Sequence, residues 1–194
     1  MKVLLIDPPF RSFAGIFSMY FPLGLAYLAG AAKRAGYSCK ILDMDAAEAK
    51  EGSVDFTREY QSYDNYITAL NDPMHPSWQL LKRLAVEQQP DVIGITALTT
   101  KFGSVIQTAK FCKEVLPNVP IIVGGAHAST MPGLTAKIPE VDFVMRGESD
   151  ESFPELLDAI RDKGDFSKIA GLTYKVGDKI LHNSDRVFAQ NLDA

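Results

Sequence analysis

A chain of 194 residues, 46% hydrophobic and 23% charged, has the balance of an ordinary globular protein and is long enough to bury a full sheet under two layers of helices. Its formal net charge of -4 argues against a nucleic-acid partner held by bulk electrostatics, and the first apolar run, broken at Asp7-Pro8-Pro9, is too short for a signal peptide or a membrane span. A cytoplasmic protein is expected. The two cysteines, Cys39 and Cys112, offer neither a Cys-x-x-Cys pair nor the triplet an iron–sulfur cluster needs, and they read as small buried thiols.

Apolar runs then alternate with amphipathic segments. Lys2–Asp7 (KVLLID) predicts a strand buried on both faces, as parallel strands are. Phe21–Ala35 has helical periodicity and ends at Gly36, a good residue beyond a helix C-terminus. Tyr37–Asp43 predicts the second strand. Met44–His75 is too long for a plain connection, and loops of that length carry function or structure of their own. Within it Phe56, Tyr60, Tyr63 and Leu70 recur at helical spacing and predict a helix with an aromatic stripe, either a packing face, a lid over a ligand or a docking face. Pro76–Gln89 predicts a helix broken by Pro90-Asp91, and Asp91–Thr96 (DVIGIT) a third strand. Lys101–Leu116 predicts a helix stopped by Pro117, followed by strands at Val119–Gly124 and Val141–Met145. Asp150–Lys163 predicts the last helix, and Ile169–Val176 with Lys179–His182 flank Gly177-Asp178, a hairpin signal.

This alternation predicts right-handed βαβ crossovers and a doubly wound, flavodoxin-like (Rossmann-type) five-stranded parallel sheet with a C-terminal β-hairpin. Ligands of open α/β sheets bind outside the carboxyl ends of the strands. Those ends carry the unusual residues here: Asp7-Pro8-Pro9-Phe10-Arg11, Asp43-Met44-Asp45, Thr96-Ala97-Leu98-Thr99-Thr100, Gly124-Gly125-Ala126-His127-Ala128-Ser129 and Arg146-Gly147-Glu148. Small residues dominate, adjacent glycines admit close approach to the backbone, and the hydroxyls of Thr96 and Thr99 can bond a buried polar atom. Such an edge suits a slot for a flat ring system. No G-x-G-x-x-G follows strand one and no P-loop occurs, and Thr96 stands where a phosphoacceptor domain would place a carboxylate. His127 is the one histidine at the edge, and no convincing nucleophile–base pair appears.

Asp7-Pro8-Pro9, then Phe21-Pro22-Leu23-Gly24-Leu25-Ala26-Tyr27-Leu28-Ala29 and Ala35-Gly36-Tyr37, resembles the start of cobalamin-dependent radical SAM proteins. Pro90-Asp91-Val92-Ile93-Gly94-Ile95-Thr96, Val123-Gly124-Gly125-Ala126-His127-Ala128 and Val141-Asp142-Phe143-Val144-Met145-Arg146-Gly147-Glu148 extend the resemblance in order over nearly the whole chain. It implies the N-terminal cobalamin-binding (vitamin B12) domain of such an enzyme, with cobalamin on the carboxyl edge and its dimethylbenzimidazole tail in the small-residue slot. The family's Ser/Thr-x-Leu element matches Thr96-Ala97-Leu98 and its Gly-Gly element Gly124-Gly125. Cofactor contacts are implied for Pro8, Pro9, Arg11, Leu23, Gly24, Thr96, Ala97, Leu98, Thr99, Gly124, Gly125, Ala126, His127, Arg146, Gly147 and Glu148. The D-x-H-x-x-G motif of methionine-synthase-type domains is absent, so the implied cobalamin is base-off without a histidine ligand, with Tyr20 a weak candidate for the cobalt lower face.

The resemblance divides the chain into an α/β domain at 1–182, with 44–75 as a helical insertion, and a linker at 183–194 towards an absent radical SAM domain. The chain is expected to bind and present cobalamin rather than to catalyse. The [4Fe–4S] cluster and S-adenosylmethionine would belong to that downstream domain, whose chemistry would be methyl transfer or a related radical reaction. Neither nucleic acid nor membrane is an expected partner. Two alternatives stay open: a small α/β nucleotide-binding transferase or hydrolase using His127 and Glu148 as acid and base, and a ligand-free interaction domain working through the aromatic insertion.

Overall fold

In the computed structural model, which describes residues 1–15, 21–46 and 59–187, strand β1 (Lys2–Asp7) lies between β2 (Ser38–Asp43) and β3 (Val92–Thr96). β4 (Ile121–Gly124) and β5 (Phe143–Met145) extend the sheet beyond β3, all parallel. The order 2-1-3-4-5 is the flavodoxin-like one predicted. The chain steps from β1 to β2 on one side and returns to β3 on the other, so the connections leaving β1 and β3 diverge and open a crevice at their carboxyl ends.

The sheet has seven strands rather than five, because β6 (Leu172–Val176) and β7 (Lys179–His182) join the edge of β5 antiparallel. A free β5 edge would leave a row of unpaired backbone groups, and the hairpin covers it. Gly177, at φ 57°, supplies the left-handed residue of the turn.

Side chains alternate across the strands. Leu4, Ile6, Ile93, Ile95 and Val123 face α4 (Pro76–Gln88) and α5 (Phe102–Val115), where Trp78, Leu81, Phe111 and Cys112 complete one core. Val3, Leu5, Val92, Ile122 and Met145 pack on the other face with Leu25, Ala29 and Ala32 of α2 (Leu23–Arg34) and Phe153, Leu156 and Leu157 of α8 (Ser152–Asp162).

Helix α2 begins two residues later than its periodicity suggested, with Pro22 at the N-cap. Three short helices were not anticipated: α1 (Arg11–Ala14), α6 (Ala126–Thr130) and α7 (Pro132–Ala136), each one turn long and too brief for a periodic signal. The insertion does contain a helix, α3 (Glu59–Asn71), but its buried face is Tyr66 and Ala69, with Leu70 packed beside them. Tyr63 is 66% exposed, and Phe56 lies outside the described residues. Tyr66 meets Phe10 edge-on at 5.1 Å, so this helix packs on the loop after β1. No helix among the described residues is long and apolar enough to cross a membrane.

Candidate functional site

Between the sheet and the α2–α8 layer lies a cavity of about 250 Å3 that opens at the carboxyl edge. Leu5, Ile122 and Met145 line it from the strands, Leu25 and Leu28 from α2, and Phe153 from α8. Two glycines of the strands border it, in different ways. A Cβ on Gly94, in the middle of β3, would stand 2.7 Å from Leu5 Cδ2, so Leu5 fills the space a side chain there would take. A Cβ on Gly124 would meet only Met145, at 3.9 Å, an ordinary contact with nothing closer. The mouth is formed by Gly24 and Tyr27 of α2 and by Gly147, Glu148, Ser149 and Asp150 ahead of α8.

Backbone hydrogen bonds lace the strand ends at the neck of this slot. Ala97 N–H donates to the Gly124 carbonyl at 2.7 Å, and His127 N–H to the Ala97 carbonyl at 3.0 Å. The Gly125 carbonyl accepts from both the N–H and the hydroxyl of Ser129, each at 3.0 Å, and Gly147 N–H donates to that hydroxyl at 2.9 Å. Gly125 itself sits at φ 102°, with its would-be Cβ 2.8 Å from the Ala97 carbonyl oxygen. It is therefore required for the backbone turn, while Gly124 is required for the space.

Beside the slot, Asp7 at the end of β1 forms a buried ion pair with Lys101, which ends the 3-10 turn Thr99–Lys101. Burial is the main force holding the Asp7 carboxyl above the usual range; Asp43 and Asp45 add to it, and Lys101 opposes it. The second carboxylate oxygen of Asp7 has no hydrogen-bond partner among the described residues. Asp45 fixes the loop after β1 by accepting from Phe10 N–H at 2.8 Å, Ser12 N–H and hydroxyl at 3.1 Å, and Arg11 Nε at 3.1 Å.

Six of the residues singled out from sequence line the cavity: Gly24, Thr96, Gly124, Gly125, Gly147 and Glu148. Leu98 and Leu23 stand on the same edge, 41% and 56% exposed. Pro8, Pro9 and Arg11 belong to the loop that Asp45 holds, and Ala126 opens α6. Ala97 and Thr99 serve the frame, Ala97 through its backbone and Thr99 through a 3.1 Å contact with His127 Nδ1. The His127 ring is buried against Phe102 at 3.8 Å and does not line the cavity that Glu148 lines, so no acid–base pair is assembled there. Arg146 turns to the hairpin, donating to Asp185, the carbonyls of Leu172 and Asn183 and the Thr173 hydroxyl. Tyr20 lies outside the described residues.

Sequence reading missed the apolar wall of Leu5, Leu25, Leu28, Ile122, Met145 and Phe153, since at each position core packing explains the residue equally well. The available signal was Gly94: a glycine inside a strand marks close approach of something to the sheet. The described residues contain no group of three or more His, Cys, Asp or Glu able to hold a metal ion. What the cavity can do is bind. An apolar cavity of roughly 150 Å3 holds benzene, so this one suits a flat two-ring group, and the carboxylates at its mouth disfavour a bare anion.

Fold and slot define a doubly wound α/β ligand-binding domain. The family model of the B12 binding domain matches residues 14–157, and the chain belongs to that family. It is a cobalamin-binding module. Over its whole length it is 31% identical to an uncharacterized methyltransferase of Pyrococcus horikoshii, covering 37% of that protein. It is 27% identical, again over its whole length, to the anaerobic magnesium-protoporphyrin IX monomethyl ester cyclase of Cereibacter sphaeroides, covering 28% of it. The radical S-adenosylmethionine methyltransferase TsrM of Kitasatospora setae, solved with cobalamin and a 4Fe–4S cluster bound, superposes with a TM-score of 0.70 at 18% identity, over 98% of this chain and 30% of that one. The chain thus spans about a third of the length of such relatives.

Proposed function

We propose that this domain holds cobalamin base-off, with the lower base in the slot between the sheet and α2–α8, and presents it to a radical SAM domain for methyl transfer or related radical chemistry. The observation that carries this reading is an apolar cavity at the carboxyl edge, bordered by Gly94 and Gly124, in a chain of the B12 binding family. The relatives' names as methyltransferases, and the 4Fe–4S cluster and S-adenosylmethionine found with their neighbours, support the class of parent chemistry. Bound cobalamin supplies a cobalt centre that carries the hard chemistry, while protein side chains bind and orient it.

Gly24, Thr96, Gly124, Gly125, Gly147 and Glu148 would contact the nucleotide tail. Leu23 and Leu98, exposed on the edge, would meet the corrin. Pro8, Pro9 and Arg11 would face its lower side, in a conformation held by Asp45. Ala97, Thr99, His127 and Arg146 hold the frame rather than the ligand, and Ala126, exposed at the start of α6, would meet the ligand at the same edge. The segment Asp7–Tyr20 contains no histidine, so the lower face is left without an imidazole ligand.

Mixing the purified protein with hydroxocobalamin and desalting tests the first claim, with a stoichiometric corrin spectrum in the protein fraction as the expected result. Electron paramagnetic resonance of the cob(II)alamin form tests the second. A base-off spectrum without axial nitrogen superhyperfine splitting is expected, and such splitting would overturn the base-off assignment.

A further inference from the structure

Resting on that placement of the tail, we infer that the slot selects among corrinoids by their lower base, taking an apolar base and refusing a purine. Leu28, Ile122, Met145 and Phe153 give it carbon walls, and Thr96 is the one hydroxyl set among the strands that line it. The backbone groups at the neck are already engaged with one another. The Gly124 and Gly125 carbonyls accept from Ala97 and Ser129, the Ala97 carbonyl accepts from His127, and Gly147 N–H donates to Ser129.

Dimethylbenzimidazole, once released from cobalt, brings one ring nitrogen that seeks a hydrogen bond, and one hydroxyl can answer it. An O-linked phenol brings no donor at all. An adenine brings an exocyclic amino group with two N–H donors and further ring acceptors. The polar side chains of the cavity, Tyr27, Glu148, Ser149 and Asp150, stand at its mouth, so a purine buried between the carbon walls is stripped of water at groups those walls do not partner, which weakens binding by about tenfold or more. Adenine is also the weaker cobalt ligand, so the ease of releasing it works in its favour, and discrimination against it must come from the slot.

The test is a set of visible-absorption titrations of the protein with cobalamin, a phenol-bearing cobamide, an adenine-bearing cobamide and cobinamide, which has no lower base. Cobalamin and the phenolic cobamide are expected to bind at least tenfold more tightly than the adenine form, and the adenine form to gain little over cobinamide. Leu28→Gln, at a half-buried position on α2, adds a donor and an acceptor to the wall and should narrow the gap between cobalamin and the adenine form. Equal affinity for the benzimidazole and adenine forms would overturn the selectivity while leaving the slot standing. Four equal affinities, cobinamide included, would overturn the placement of the tail itself. Thermal melts of apo Leu28→Gln keep a loss of fold distinct from a change in preference.

Discussion

Two adjacent glycines do different jobs, and substitution separates them. Gly125 adopts φ 102° and ψ -175°, a region open essentially to glycine alone, and its Cβ would press on the Ala97 carbonyl. Gly125→Ala should destabilise the fold by roughly 1–3 kcal/mol, read by urea denaturation. Gly124→Leu should melt close to the wild-type temperature, because its Cβ meets only Met145, at an ordinary 3.9 Å, yet fail to retain cobalamin after desalting. A Gly124→Leu protein that binds as tightly as wild type would put the slot elsewhere. The Gly-Gly pair was legible in sequence, but which glycine guards space and which guards backbone depends on where β3 and β4 end relative to each other. The Asp7–Lys101 pair was not legible, because its partners lie on separate strand connections. Lys101→Met leaves a buried carboxylate unpaired and should cost roughly 3–5 kcal/mol near neutral pH. The deficit should shrink as the pH falls. Burial already raises the Asp7 carboxyl, and without Lys101 the folded state binds its proton at higher pH than the unfolded chain, so stability is regained on the acid side. A pH-independent deficit in urea melts would refute this.

At the scale of elements, long periodic segments were read well and one-turn segments were not. β1, α2, β3, α5 and β7 fall within a residue or two of expectation, since each has enough apolar repeats or a turn signal to declare itself, while β6 starts at Leu172, three residues after the expected Ile169. The α3 stripe was right at Leu70, which packs on the core, and wrong at Tyr63, which is exposed: contact with Phe10 and Ser104 selects Tyr66 instead. Arg146 was placed at the ligand because it follows β5, yet its guanidinium is occupied by the hairpin and its exit, and Arg186 extends the attachment through Glu151 and Glu155. Domain contacts therefore reach beyond His182, where a linker was expected to start. Arg146→Ala should speed amide hydrogen exchange in β6 and β7 by tenfold or more, the equivalent of about 1.4 kcal/mol, while leaving β1 and β3 protected. Uniform exchange across the whole sheet would show that the hairpin is not an independently opening unit.

For the molecule as a whole, the α2–α8 layer that covers the cavity is closed by contacts distant in sequence. The Tyr37 hydroxyl, just before β2, donates to Asp158 and accepts from Arg161 Nη1 at 2.8 Å, tying α8 to the turn between α2 and β2 on the same face of the sheet. Desolvation, then the hydrogen bond to Asp158, push the Tyr37 hydroxyl up to about 12 from an ordinary 10. The folded state thus binds more protons than the unfolded one between these values, and the stability this contributes at neutral pH is lost as pH rises from 10 towards 12. Melting temperatures should fall more steeply over that window for wild type than for Tyr37→Phe; parallel curves would remove the linkage.

Sequence by itself determined the types of the long elements, the parallel α/β class, the carboxyl edge as the one where the cavity opens and the family, because apolar periodicity, turn chemistry and short motifs are local and survive without coordinates. Tertiary structure alone decided the seven-stranded sheet, the apolar walls of the slot, the division of labour between Gly124 and Gly125, and the pairing of Asp7 with Lys101. Each of these joins residues from separate strands and helices. A buried leucine that packs the core and one that lines a cavity leave the same mark in a sequence, and only the positions of their neighbours tell them apart.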